Sequence, residues 1–150
     1  MGARVLRFRL WAWSLGLALF PLFASAQGVD NSLRVVVNKE NKLASLSTDD
    51  LQRIFLGKKT LWESGTRIVP AMPEEESTAG SVFLSGTMQR SVSQFRTYWK
   101  RLLFSGGGTV PKVFRTNGQI LDFVARQPGG IGVVEASAVD DRVRVLEISN

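Results

Sequence analysis

Seven consecutive residues, Glu74-Glu75-Glu76-Ser77-Thr78-Ala79-Gly80, hold the densest chemistry in this chain of 150 residues. Two hydroxyls and a glycine open a stretch in which Val82, Phe83 and Met88 read as the inward face of a helix over 78–90. The first amides of a helix have no intrahelical partner, and the helix dipole makes that end electropositive. Hydroxyls at such a turn hold an oxyanion, and Gly80 would let backbone approach it closely. Ser77 reads equally well as an ordinary N-cap, with the glutamates complementing the dipole. Both readings stand at this level. A hard-cation site at Glu74–Glu76 is disfavoured, because three successive side chains cannot all converge on one ion.

Other chemistry is limited by inventory. The chain has no His and no Cys, which removes Ser-His-Asp and Cys-His machinery and the commonest zinc ligand sets. No Ser-x-x-Lys, nucleophile elbow or Walker A loop occurs. Gly106-Gly107-Gly108 lacks the Lys-Ser/Thr that a phosphate loop requires and reads as a helix-to-strand connection. The acid pairs Asp49/Asp50 and Asp140/Asp141 read as dipole-complementing residues at helix starts. No catalytic residue, metal ligand or cofactor is assigned, and an enzyme is not expected.

The elements that must position this turn follow from punctuation. Leu33 to Val37 is a β-branched run and reads as a buried strand, followed by a polar turn from Asn38 to Lys42. Leu51, Ile54 and Phe55 share a helix face, with Ser47 and Asp50 as a capping-box-like start and Gly57 as the closing residue. Arg67 to Ala71 reads as a second strand stopped by Pro73. Ser91 with Gln94 caps a helix presenting Phe95, Tyr98, Trp99, Leu102 and Leu103 as an apolar face, with Arg96, Lys100 and Arg101 on a solvated side. Thr116 with Gln119 caps another bearing Ile120, Leu121, Phe123 and Val124, which Pro128-Gly129-Gly130 ends. Ile131 to Val134 and Val143 to Ile148 are two closing strands. Strands alternating with helices predict an α/β sandwich with a mixed, mostly parallel sheet.

The N-terminus sets the expected compartment. Arg4, Arg7 and Arg9 precede an apolar run from Leu10 to Phe23, and Ala24-Ser25-Ala26 supplies the small residues a signal peptidase needs. The run falls short of the roughly 20 residues that span a bilayer. The expectation is a cleaved leader over 1–26 and a single domain over 27–150, exported to the periplasm. The leader carries three positive charges, so the formal +6 falls to +3 in the mature chain. No dense basic stripe with interleaved aromatics remains, and nucleic acid is not an expected partner.

Several motifs together carry a family resemblance. Ile54-Phe55-x-Gly57, then Trp62-x-x-Gly65, then Ile68-Val69-Pro70 resembles the second lobe of periplasmic phosphate-binding proteins of ABC transporters. Val110-Pro111 and Asn117-Gly118 resemble the segment before that lobe's last helix, and Pro128-Gly129-Gly130-Ile131-Gly132-Val133-Val134-Glu135 resembles its Pro-Gly-Ala-Ile-Gly-Tyr-Val-Glu run. The resemblance implies a short, single-lobe member with a three-layer α/β/α arrangement. It also implies a ligand, phosphate or a related oxyanion. The family's turn reads Arg-Ser-Asp-Gly-Ser-Gly-Thr with a Phe four residues on. Setting that Phe on Phe83 places the motif's Asp on Glu75, its second Ser on Ser77, its Arg on Pro73 and its Thr on Ala79. The ligand-binding residues so implied are Glu75, Ser77, Thr78 and Gly80, with Glu75 accepting the proton of a protonated phosphate. Arg67 and Arg115 are candidates for the missing guanidinium. Expected partners are the oxyanion, held weakly by one lobe, and an ABC permease or a membrane sensor. The alternative is an interaction or sensory accessory on the same lobe with a degenerate site.

Overall fold

The computed structural model describes residues 32–150; the expected leader and its cleavage point after Ala26 lie outside them. Strand β1 (Leu33–Val37) is as the β-branched run predicts. A short strand, β2 (Ser45–Ser47), precedes α1 (Thr48–Phe55). The Ser47 hydroxyl accepts from the Asp50 amide at 3.1 Å, so half of a capping box forms. The Asp50 carboxylate turns instead to Lys59 at 2.6 Å and Arg53 at 3.3 Å. At the other end Gly57 adopts φ 68, and the amides of Gly57 and Lys58 close on the carbonyls of Ile54 and Arg53. That is the Schellman arrangement, which only a residue tolerant of positive φ allows without strain.

Strand β3 (Val69–Pro73) begins two residues later than the sequence suggests. The helix expected over 78–90 is shorter: α2 (Thr78–Val82) passes into a π-helical turn at Phe83–Thr87. Ser81 and Ser85 hydroxyls bond back to the carbonyls of Thr78 and Ser81, competition that loosens the regular ladder. Helix α3 (Val92–Phe104) starts with a complete capping box at Ser91 and Gln94. Its apolar face is narrower than predicted. Phe95 and Trp99 are buried and Tyr98 and Leu102 half-buried, whereas Leu103 points to solvent. Strand β4 (Lys112–Phe114) was not legible in advance. Helix α4 (Asn117–Arg126) also carries a full capping box, from Thr116 and Gln119.

Strand β5 (Gly130–Glu135) leads into a short 3₁₀ turn. The single closing strand expected at 143–148 is two, β6 (Arg144–Val145) and β7 (Glu147–Ser149), in different sheets. Asp140 follows the 3₁₀ turn rather than opening a helix, and its carboxylate grips Arg142 at 2.6 Å. The main sheet runs β4-β3-β5-β1-β6, with β2 and β7 forming a small parallel pair apart from it. Strands β3, β4 and β5 are mutually parallel, and β1 alone runs against its neighbours.

Alternation along each strand splits the core into two layers. Val35, Val37, Met72, Ile131 and Val133 face α1, α2 and α3, together with Phe55, Phe83, Phe95 and Trp99. Val36, Ala71 and Val134 face α4 through Ile120, Leu121 and Val124. This is a three-layer α/β/α lobe with a mostly parallel sheet. Trp62 locks the turn before β3, its indole N–H donating to the Gly129 carbonyl at 3.1 Å.

Candidate functional site

Because β3, β4 and β5 are parallel, the segments that follow them emerge on one edge of the sheet. In open α/β sheets ligands bind outside the carboxyl ends of the strands. That edge here gathers the Glu74–Gly80 turn after β3, Arg115 and the start of α4 after β4, and Glu135 at the end of β5. Pro73 pairs in register with Phe114, and the Glu74 amide donates to the Phe114 carbonyl at 3.1 Å. The side chain of Asn117 ties α4 to β5, meeting the Glu135 carboxylate at 2.7 Å and its amide at 3.2 Å.

The turn itself is built around Ser77. Its hydroxyl accepts from the Gly80 amide at 3.0 Å and donates its one proton to the Glu74 carbonyl at 2.6 Å. The Ser77 amide closes on the same carbonyl at 3.0 Å. Ser77 is therefore the N-cap of α2, with its proton already committed. Gly80 is buried, and an added Cβ would sit 1.9 Å from the Glu74 oxygen. Its role in the fold is to admit that carbonyl. Thr78 is exposed, and no described residue bonds its hydroxyl. The amides of Thr78 and Ala79, in the first turn, have no intrahelical acceptor.

Each of the three carboxylates has a guanidinium. Arg96 of α3 reaches both Glu75 and Glu76, the latter at 3.0 Å. The hydrogen bond to Glu75, and then that to Glu76, raises the Arg96 pKa above its ordinary value. Arg115 meets Glu74 at 3.3 Å. Arg115, and not Arg67, is the arginine delivered to the turn. Arg67 precedes β3 and Glu74 follows it, so roughly 20 Å of strand separates them. Three acids against two guanidiniums leave the turn one charge negative, though Arg115 is 83% exposed and well screened by water. Arg96 is the site residue that sequence reasoning missed. It reads as a solvated helix position, and nothing local signals a partner 20 residues upstream.

No family model matches the chain. Solved structures do. An ABC-type phosphate transport receptor from Vibrio cholerae superposes with a TM-score of 0.54 at 18% identity, covering 78% of this chain and 46% of that one. A Clostridium perfringens protein assigned as a phosphate ABC transporter substrate-binding protein, with phosphate bound, gives 0.61 at 19%, covering 78% and 44%. PstS from Borrelia burgdorferi gives 0.58 at 14%, covering 78% and 47%. The chain thus has the fold of a lobe of these binding proteins, and it spans less than half the length of each. At such identities the likeness is one of fold.

Proposed function

We propose that the protein is a periplasmic, secreted solute-binding-type lobe that takes phosphate or a related oxyanion at the opening turn of α2. The observation behind this is the unengaged Thr78 hydroxyl on the carboxyl edge of the sheet, in the turn whose Glu74 meets Arg115 at 3.3 Å. Thr78 and the first amides of α2 supply donors, and Arg115, exchanging Glu74 for the anion, supplies the charge that Pro73 cannot. Ser77 and Gly80 hold the turn in shape, and Glu75, steadied by Arg96, accepts the proton of a protonated phosphate. One lobe encloses the anion on one side only, so affinity is low, with Kd in the range of about 1 mM. Transport through an ABC permease is the role this reading implies.

Calorimetry of the mature protein with phosphate, sulfate and molybdate tests it. Thr78→Val and Arg115→Gln are each expected to weaken binding by about tenfold, as loss of a hydrogen bond to a charged group does. Absence of heat at tens of millimolar ligand, or unchanged affinity in both variants, refutes the reading. The pairing of all three glutamates with arginines favours a second one, an interaction or sensory accessory with a membrane partner. In that case envelope extracts yield one enriched membrane protein, and neutralising Glu74–Glu76 releases it.

A further inference from the structure

A polar groove lies between α1, α3 and the segment joining the π-helical turn to α3. It holds about 550 Å³, and its wall includes Gln52, Gln89, Arg90, Ser93, Thr97 and Arg101, with no carboxylate among the lining residues. The contrast with the α2 turn is in the cations. Arg53, Arg96, Arg115 and Arg142 each meet an acid, whereas neither Arg90 nor Arg101 does among the described residues. Arg90 lies over the Tyr98 ring at 5.5 Å, which steadies the guanidinium without neutralising it. Gln89 has φ 51, the one non-glycine residue of those described in the left-handed region. It stands just past the end of the π-helical turn, which the Arg90 amide closes on the Leu84 carbonyl at 2.9 Å, so the left-handed residue sets where Arg90 leaves the helix.

We propose that this groove binds an anionic phosphate group, free in solution or carried on the head of an anionic lipid. Two unneutralised guanidiniums present forked donors matched to phosphate oxygens, and the Ser93 and Thr97 hydroxyls add two more. The lipid source has a specific foothold. Ser93, Thr97, Arg101 and Phe104 follow one another at i+4, i+4 and i+3, a single row along α3. Phe104 ends that row 84% exposed, one turn beyond Arg101, where an aromatic ring enters an interfacial layer. The site is separate from the α2 turn and does not depend on it.

Amide chemical-shift mapping of the mature protein with inorganic phosphate forms one arm of the test. Co-sedimentation with phosphatidylglycerol vesicles, against phosphatidylcholine vesicles, forms the other. Phosphate-induced shifts at residues 89–101, or binding to phosphatidylglycerol vesicles that the arginine variants lose, supports the site, and the arm that responds names the source. An Arg90→Gln/Arg101→Gln variant is expected to lose at least tenfold in affinity. Phe104→Ser weakens vesicle binding only. Arg101→Gln alone, at an exposed position, provides the same readout should the double variant be unstable. Shifts confined to residues 74–80, no response in either arm, or binding retained in the arginine variants overturns the proposal.

Discussion

Replacing Gly80 by alanine isolates the geometry on which the candidate turn is built. The new Cβ would lie 1.9 Å from the Glu74 oxygen, 2.8 Å from its carbonyl carbon and 3.0 Å from the Glu75 Cα. All three are backbone atoms, so no rotamer change relieves the contact, and the turn must shift by more than about 1 Å to reach ordinary van der Waals separation. That shift disrupts the Ser77 cap on the Gly80 amide and the two bonds that Ser77 makes to the Glu74 carbonyl. Overpacking costs about 1–3 kcal/mol and a lost cap about 1 kcal/mol. Helix propensity returns at most about 1 kcal/mol. The net loss is about 1–3 kcal/mol, or roughly 4–12 °C in Tm for a domain of this size. Gly86→Ala is the internal control, since nothing lies within 4 Å of its Cβ position. It should leave Tm unchanged or raise it slightly. Thermal unfolding followed by far-UV circular dichroism reads both. A Gly80→Ala protein melting within about 2 °C of the parent would refute the account of the turn.

Two further outcomes follow from buried and charged contacts. Trp62→Phe removes the indole donor to the Gly129 carbonyl and should cost about 1–2 kcal/mol in urea unfolding; an unchanged midpoint means the bond contributes nothing. The hydrogen bond from Lys59 holds the Asp50 carboxyl below its ordinary pKa, with Arg53 assisting. A folded-state pKa lowered in this way contributes stability above about pH 3.9 that is lost as pH falls through the folded value. Asp50→Asn should therefore flatten the decline of stability between about pH 5 and pH 2, and parallel profiles would exclude the linkage.

Much of the local structure was legible because it is written in adjacent residues. Ser47, the Leu51/Ile54/Phe55 face and Gly57 mark both ends and the buried side of α1, and the two capping boxes mark where α3 and α4 begin. The Val35–Val37 run announces β1 through its own side chains. Strands β2 and β4 have three residues each, too few for a period to show, and exist only because β7 and β3 pair with them. The π-helical turn was hidden for a related reason. Phe83 and Met88 point inward in either ladder, so their apolar spacing does not distinguish a π turn from a regular helix.

For the candidate site the division is sharper. The residues themselves, Glu74 to Gly80 at a helix start, were visible in the chain, because capping and dipole chemistry act over three or four residues. Whether any cation reaches them depends on the order β4-β3-β5, which sets Arg115 beside Glu74, and on the packing of α3, which brings Arg96 across 20 residues to Glu76. Sequence alone fixes contacts within a turn of helix or a step of strand. Charges brought together by strand order and helix packing become neighbours only when the core closes, and that closure left Ser77 a cap, Thr78 open and Arg115 at the turn.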